Sequence, residues 1–168
     1  LTQGADNLTL SGVNFSTPAA SNRNNMTVTM VLDLGKINTP QTYTALFNAK
    51  GGSTSWGAGV NTDRKLQGLW NNAAYASPIA STPLGTEGLL TISVVTGDIG
   101  SRIYAGANDN YYSSPGLKFS SATIDQILFD TQLSDAIQQL YVHDSCLSQD
   151  QVGQLMSDCL LYTSDAAD

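Results

Sequence analysis

Alternation between apolar and polar residues, with a period of two, is the sequence feature that most constrains the fold of this chain. It is clearest from Met26 to Leu34 (MTVTMVLDL), where every second residue is apolar. This is the period of a β-strand with one buried face. Similar shorter stretches recur between turn residues such as Gly, Pro, Asn and Asp, which predicts an all-β sandwich of two antiparallel sheets. The predicted strands lie within 6–15, 26–34, 43–49, 56–60, 66–70, 89–95, 102–105, 122–129 and 140–143.

The second predicted strand of this kind runs through the stretch YTALFNA. Its alternation places Tyr43, Ala45, Phe47 and Ala49 on one face, because side chains two residues apart point the same way along a strand. We therefore expect all four side chains to share one environment in the sandwich.

The segment from Ile137 to Met156 (IQQLYVHDSCLSQDQVGQLM) changes period and closes the predicted domain. A short alternating strand is followed by Ser148 and, three residues later, Gln151, which form the capping-box pattern of a helix N-terminus. Leu147 and Val152 lie where a hydrophobic staple would pack. The apolar stripe that follows predicts one short C-terminal helix of about two turns; it consists of Val152, Leu155 and Met156.

This closing segment resembles that of LamG-like jelly-roll domains, in the concanavalin A-like lectin/glucanase superfamily. The stretch from Trp56 to Trp70 (WGAGVNTDRKLQGLW) is similar to a recurrent hairpin of that family, and Tyr104-Ala105-Gly106 to the end of another. The resemblance covers about Met26 to Met156 and extends to domains of secreted or outer-membrane proteins of Verrucomicrobia-type bacteria. It implies a jelly-roll sandwich, a fold that hosts lectins, glycosidases and adhesive modules alike. The hairpin glycines are expected to leave room for the facing sheet or for a ligand.

Charge composition excludes some partners. Only 12% of the 168 residues are charged and the net charge is −7, against roughly 25% charged residues in an average soluble protein. An acidic surface favours neither nucleic acid nor an anionic membrane. No apolar run approaches the ~18 residues of a membrane span. A surface of Thr, Ser, Asn, Gln and Gly is typical of extracellular β-proteins, so we expect an extracellular or cell-surface location in an outer-membrane-associated parent protein.

The two ends of the chain are predicted to differ from the natural termini. The sequence starts at Leu1 with no visible signal peptide, so we expect the natural N-terminus to be missing. Cys159 to Asp168 (CLLYTSDAAD) resembles an in-frame translation of a sequencing adapter, which would make the sequence a metagenomic fragment. The predicted domain is therefore 1–158, with 159–168 as a non-native tail. Cys146 is then a lone cysteine, expected to be buried and inert.

Catalytic motifs are absent from the sequence. Glycosidases of this superfamily resemble one another in a strand with paired carboxylates, which flank the scissile bond, whereas Glu87 is the single glutamate here. His143 adjoins Asp144 and Ser145, but neighbours on an extended chain point to opposite faces and cannot relay a proton. His143 is predicted to be a surface strand residue, and the domain to be no enzyme.

Ligand candidates are of two kinds. Calcium takes oxygen ligands, and the oxygen-rich segments are 108–110 (Asn-Asp-Asn) and 61–63 (Asn-Thr-Asp); both also fit ordinary turns, so no cofactor is predicted and calcium stays an alternative. Sugar binding needs aromatic platforms with amides or carboxylates beside them. The tryptophans are alternatively core residues, which we favour, whereas Tyr111 and Tyr112 fall in a predicted loop over 107–118. The candidate sugar-binding residues are Trp70, Asn71, Tyr75, Asp109, Tyr111 and Tyr112.

The sequence therefore predicts a non-catalytic extracellular module that binds carbohydrate or mediates adhesion within a larger surface protein. The expected partner is a glycan or cell-surface polysaccharide. One alternative is a structural spacer without a glycan ligand, and a less favoured one is a glycoside hydrolase.

Overall fold

The structure is a computed structural model that describes residues 2–3, 7–11, 25–40, 42–51, 54–69, 82–97, 100–106, 110–114, 126–130 and 135–164. These residues form antiparallel strands, a 3-10 turn and a C-terminal helix. The elements are β1 (Thr2–Gln3), β2 (Asn7–Ser11), β3 (Met26–Asp33), the 3-10 turn (Leu34–Lys36), β4 (Thr44–Gly51), β5 (Thr54–Val60), β6 (Leu66–Leu69), β7 (Leu89–Thr96), β8 (Ser101–Ala105), β9 (Asn110–Ser114), β10 (Gln126–Asp130), β11 (Ile137–His143) and α1 (Gln149–Ser164).

The strands make two sheets. Sheet A has the order β1-β2-β10-β4-β5-β6, and sheet B has the order β11-β3-β7-β8-β9. Strands distant in sequence lie side by side in both, as where β10 enters between β2 and β4. The predicted all-β jelly-roll sandwich of two antiparallel sheets with one C-terminal helix is confirmed.

The core lies between the sheets and follows the alternation of β3. Met26, Val28, Met30 and Leu32 are fully buried and belong to the main hydrophobic cluster. Sheet A contributes residues to the same cluster, so the two inner faces pack on each other as in other β-sandwiches; its members from that sheet include Phe47, Ala49, Trp56, Ala58 and Val60.

Trp56 confirms the preference for a tryptophan in the core. Its ring is fully buried and packs edge-on against Phe47, with the ring centroids 5.6 Å apart. The indole Nε1 donates a hydrogen bond to Ser101 Oγ of sheet B at 2.9 Å. The buried indole therefore fills volume and also satisfies its polar N–H.

A β-bulge in β4 corrects the predicted alternation of this strand. Ala45 is paired with Gly59 and Phe47 with Ala58, so Leu46 is an extra residue between them. Leu46 and Phe47 are both fully buried in the core, and the face of the strand is exchanged at this point. Ala45 therefore does not share a face with Phe47, as the alternation had predicted.

The predicted hairpin of β5 and β6 is confirmed, and its turn is held by Arg64. This residue is 8% exposed and adopts a left-handed conformation with φ of 61°. Its guanidinium donates to the carbonyl oxygens of Leu34 at 2.8 Å, Gly85 at 2.7 Å and Ile37, and its Nε donates to that of Leu84 at 3.2 Å. Arg64 therefore ties the hairpin to two other segments.

The C-terminal helix begins as predicted but ends later. Ser148 N–H donates to Gln151 Oε1 at 2.9 Å, and Gln151 N–H donates to Ser148 Oγ at 3.3 Å, which confirms the capping box. The helix has 16 residues rather than about two turns. Cys159 and Leu160 continue the i, i+3, i+4 spacing of the apolar stripe and nothing between them and Ser164 is a helix breaker, so the helix continues into the segment expected to lie outside the domain.

Helix α1 covers part of the outer face of sheet B. Val152 and Met156 pack with Val95 of β7 and Tyr104 of β8 in a second apolar cluster, beside the partly buried Leu147. The predicted staple residues are therefore both in contact with this cluster. Cys146, which was expected to be buried, is half-buried beside it.

One hydroxyl fixes the segment between β11 and α1. Thr27 on β3 donates to the Ser145 carbonyl oxygen at 2.8 Å and accepts from the Leu147 N–H at 3.1 Å. The chain is thus held against the sheet just before the helix begins.

Within the described residues, no helix is long and apolar enough to cross a membrane.

Candidate functional site

The sequence-predicted sugar-binding residues fall largely outside the described residues. This applies to Trp70, Asn71, Tyr75 and Asp109. Tyr111 and Tyr112 lie in strand β9 rather than in the predicted loop; their backbones pair with β8, and aromatic residues favour such pairing.

The backbone separates the two predicted groups. Residues 66–69 immediately before Trp70 form the edge strand β6 of sheet A, whereas Tyr111 and Tyr112 belong to the edge strand β9 of sheet B. Strand β6 and strand β9 therefore lie in different sheets, and the two predicted groups are treated as separate candidates.

A different polar surface is set by strand β5. Its residues Trp56 and Ala58 are fully buried in the core. Gly57 and Gly59 alternate with them and so point away from the core, toward the outer side of sheet A. Helix α1 packs on sheet B, so the helix does not cover this outer side.

Two amide side chains flank these glycines. Asn48 on β4 is paired with Gly57, and Gln67 on β6 is paired with Gly59. Paired residues of antiparallel strands project to the same side of the sheet. Asn48, Gly57, Gly59 and Gln67 therefore share one side of sheet A, which we call the amide face; Gly57, Gly59 and Gln67 are buried there and Asn48 is half-buried.

Both amides have buried atoms without hydrogen-bond partners. Gln67 is 2% exposed, and neither its Nε2 nor the Oδ1 of Asn48 is bonded to any part of the protein that the structure describes. A buried donor or acceptor left unsatisfied costs about 1–3 kcal/mol. Such groups are few in native proteins, and each requires a physical reason.

Tyr43 lies over the amide face. A Cβ placed on Gly59 would stand 2.5 Å from Tyr43 Cζ and 2.7 Å from Tyr43 Oη, and would also overlap the Thr44 carbonyl oxygen. A Cβ on Gly57 would overlap the Phe47 carbonyl oxygen. The glycines therefore make room for the neighbouring strand and for an aromatic ring, not for the facing sheet.

One lysine belongs to the same side of sheet A. Lys50 is two residues beyond Asn48 on β4 and is paired with Ser55, so the register places it on the side of the amide face. It is half-buried. Among the described residues, the one ion pair found is between Lys36 and Asp33, at 4.0 Å and elsewhere in the fold.

In the candidate calcium segment 61–63, the side-chain oxygen of Asn61 is already used as a hydrogen-bond acceptor within the turn. The Asn61 Oδ1 accepts from the N–H groups of Asp63 at 3.0 Å and Lys65 at 2.9 Å, which is the role of an Asx turn. The 108–109 part of the other segment lies outside the described residues. No group of three His, Cys, Asp or Glu side chains comes together within the described ranges.

The residues considered for catalysis lie apart from the amide face. Glu87 is exposed on a bend before β7. His143 is half-buried on β11, rather than fully on the surface as predicted, and its Nδ1 is buried without a partner among the described residues. The partial burial follows from its pairing with the fully buried Thr27.

Sequence reasoning missed the amide face because its members are far apart in the chain. Asn48 and Gln67 meet through the register of β4, β5 and β6, and Tyr43 reaches the face through the bulge at Leu46. The one local signal was the Gly-x-Gly pattern of β5, which marks a close approach to the backbone.

Comparison with known proteins identifies the fold. No family model matches the sequence, and no curated protein matches it. The structure is similar to the CBM40 module of the Ruminococcus gnavus IT-sialidase bound to α2,3-sialyllactose, with a TM-score of 0.59, 10% identity and coverage of 79% of this chain and 83% of that one.

Two further structures show the same likeness. The SAP-like pentraxin of Limulus polyphemus has a TM-score of 0.57 and 11% identity, over 92% of this chain and 78% of that one. The Trypanosoma rangeli sialidase has a TM-score of 0.57 and 11% identity over 79% of this chain, but the match spans only 22% of the sialidase. No family model supports the finer resemblance to LamG-like domains. The chain has the jelly-roll sandwich fold that these structures share.

Proposed function

We propose that this chain is a non-catalytic glycan-binding module, of LamG-like type, in a larger extracellular or cell-surface protein. The amide face is its proposed binding surface. The observation that carries the proposal is Gln67, whose amide is buried beside the ring of Tyr43 and donates to no described group. A sugar offers hydroxyl oxygens for such a donor and an apolar ring face for an aromatic side chain.

The two amides of the face suit the hydroxyl groups of a sugar. Gln67 supplies a free N–H donor and Asn48 a free oxygen acceptor, and a hydroxyl group can satisfy either. Their separation is about 12 Å between Cα atoms, from two strand spacings across and two residues along the sheet. That span is of the order of a disaccharide.

The sequence-predicted residues extend this proposal. Leu69 is paired with Gly57 at the end of β6, and the chain continues directly into Trp70 and Asn71. We propose that Trp70, Asn71 and Tyr75 add to the amide face as a rim. Tyr111, Tyr112 and Asp109 stay a second candidate group on the side of sheet B.

Composition and fold support the same function. A low content of charged residues suits a module that works outside the cell, and the CBM40 neighbour is a domain whose structure holds a bound sialylated sugar. Non-catalytic action is supported by the sequence, in which a single glutamate stands on an exposed bend. Glycoside hydrolysis needs two carboxylates on either side of the bond.

The test is a glycan-array experiment on the full chain and on Gln67→Met, each with calcium and with a chelator. We expect binding by the parent protein and its loss in Gln67→Met, which keeps the volume and removes the amide. Gln138→Met is the matched control, since Gln138 is an exposed residue of β11 on the other sheet. Binding that survives Gln67→Met would refute the amide face, and a folded chain that binds no glycan would favour a structural spacer.

Calcium dependence is decided in the same experiment. Binding that requires calcium would point to the segment around Asp109, because Asn61 already uses its side-chain oxygen within its turn. Binding that is equal with a chelator is the result expected for the amide face, whose donor and acceptor need no ion.

A further inference from the structure

We propose that the amide face recognises an acidic sugar, with Lys50 as the residue that binds its carboxylate. This inference rests on the proposed glycan-binding function and specifies the class of ligand. It is carried by the position of Lys50, a half-buried cation with no ion-pair partner among the described residues, two residues along β4 from the unpartnered amide of Asn48.

Lys50 is placed for this role by the strand register. Its partner in β5 is Ser55, and in β10 it is Gln126. Lys50 lies two residues along β4 from Asn48, or about 7 Å between Cα atoms. The long side chain of lysine can cover that distance along the sheet and keep its ammonium group at the edge of the amide face.

The described surroundings of Lys50 contain no acidic partner. The chain has 14 acidic and seven basic residues, yet no described acidic side chain lies within ion-pair distance of Lys50. A half-buried cation with no counter-charge within the described ranges is available to bind an anion of the ligand.

The anion must belong to a ligand that also carries hydroxyl groups, because Asn48 beside it offers a neutral hydrogen bond and Gln67, about 17 Å from Lys50 between Cα atoms, offers another farther along the face. A sugar carboxylate meets this condition. An ammonium–carboxylate hydrogen bond is about twice as strong as a neutral one, so Lys50 would supply the preference for charge and the amides the fit to the ring. Sialic acids and uronic acids carry the same carboxylate chemistry and are the two sources to be distinguished.

The experiment is calorimetric titration of the full chain with 3′-sialyllactose, with a glucuronic-acid-terminated disaccharide and with neutral lactose. We expect one or both acidic sugars to bind about tenfold more tightly than lactose, and this difference to shrink at high salt. Whichever acidic sugar binds more tightly identifies the source of the carboxylate.

Three variants test the role of Lys50. Lys50→Gln is expected to remove the difference between acidic and neutral sugars, and Lys50→Arg to keep it, because the charge is retained. Lys36→Gln is the matched control: Lys36 is exposed after β3, where it pairs with Asp33, and its loss is expected to leave the difference unchanged.

Different results would overturn the two proposals. Equal affinity for lactose and the acidic sugars, or a preference that survives Lys50→Gln, would overturn the acidic-sugar inference while leaving glycan binding in place. No binding of any of the three sugars, in a protein that the glycan array also finds silent, would overturn both.

Discussion

Trp56 of sheet A donates its indole N–H to the hydroxyl of Ser101 in sheet B, at 2.9 Å. Ser101 Oγ in turn lies 3.1 Å from Thr96 Oγ1. The contact crosses the apolar core, so it adds a directional hydrogen bond to the non-directional apolar packing between the two sheets.

Trp56→Phe removes this donor and part of the ring volume. We expect the free energy of unfolding to fall by about 2–4 kcal/mol, from the cavity and the hydroxyl left without its partner. Urea denaturation of Trp56→Phe, Ser101→Ala and the double variant measures the coupling between the two residues, expected at about 1 kcal/mol. Strictly additive losses would show that the hydrogen bond contributes nothing of its own.

Arg64→Lys keeps the charge but loses the planar group that donates to several carbonyl oxygens. Because an ammonium on a single stem cannot reach both of the segments that the guanidinium joins, we expect a loss of about 2–3 kcal/mol in the free energy of unfolding. Thermal unfolding of this variant and of Lys65→Ala provides the comparison. Lys65 is the next residue in the same turn, and its replacement should change stability by less than about 0.5 kcal/mol.

Gly59→Ala and Gly153→Ala are the same substitution with opposite expected results. At Gly59 the added methyl group meets Tyr43 and the Thr44 carbonyl oxygen, so we expect destabilisation by about 1–3 kcal/mol. Nothing lies within 4 Å of a Cβ on Gly153, which is exposed in helix α1, so alanine there should stabilise the protein by about 0.5–1 kcal/mol. Equal midpoints in urea would contradict the close packing of β4 on β5.

Gln67→Met separates stability from binding. Replacing a buried, unpartnered amide by an apolar side chain of similar volume removes a desolvation cost, so the free energy of unfolding should rise by about 1 kcal/mol. The exposed Gln138→Met should change it by less than about 0.5 kcal/mol. A residue kept for a ligand at the expense of stability behaves in this way, whereas a drop in the melting temperature of Gln67→Met would show that the amide has a structural partner.

Local rules of sequence predicted a large part of the fold. The alternation of β3 and the capping box of Ser148 and Gln151 depend on residues close together in the chain, and both are present in the structure. The predicted length of about two turns for α1 was wrong, because the apolar spacing continues past Met156 to Cys159 and Leu160, within the segment predicted to be a non-native tail.

The features that were missed depend on contacts between distant segments. Nothing in the sequence near Leu46 marks a bulge, because the extra residue is apolar and is buried like its neighbours. The role of Arg64 could not be predicted from the sequence. Its acceptors are backbone carbonyl oxygens of segments some 20–30 positions away in sequence. The amide face requires the register of three strands, and the sequence does not specify that register directly.

The pairing of β11 with β3, together with the bonds of Thr27 to Ser145 and Leu147, has a consequence for how the protein comes to fold. An early strand of the chain obtains one of its two neighbours only after residues beyond 137 have been synthesised. Contacts of such long sequence separation slow folding, because the loop between them must close first. A nascent chain of this kind keeps one edge of β3 unpaired until the residues of β11 have been synthesised, and this interval leaves a strand edge open to other chains.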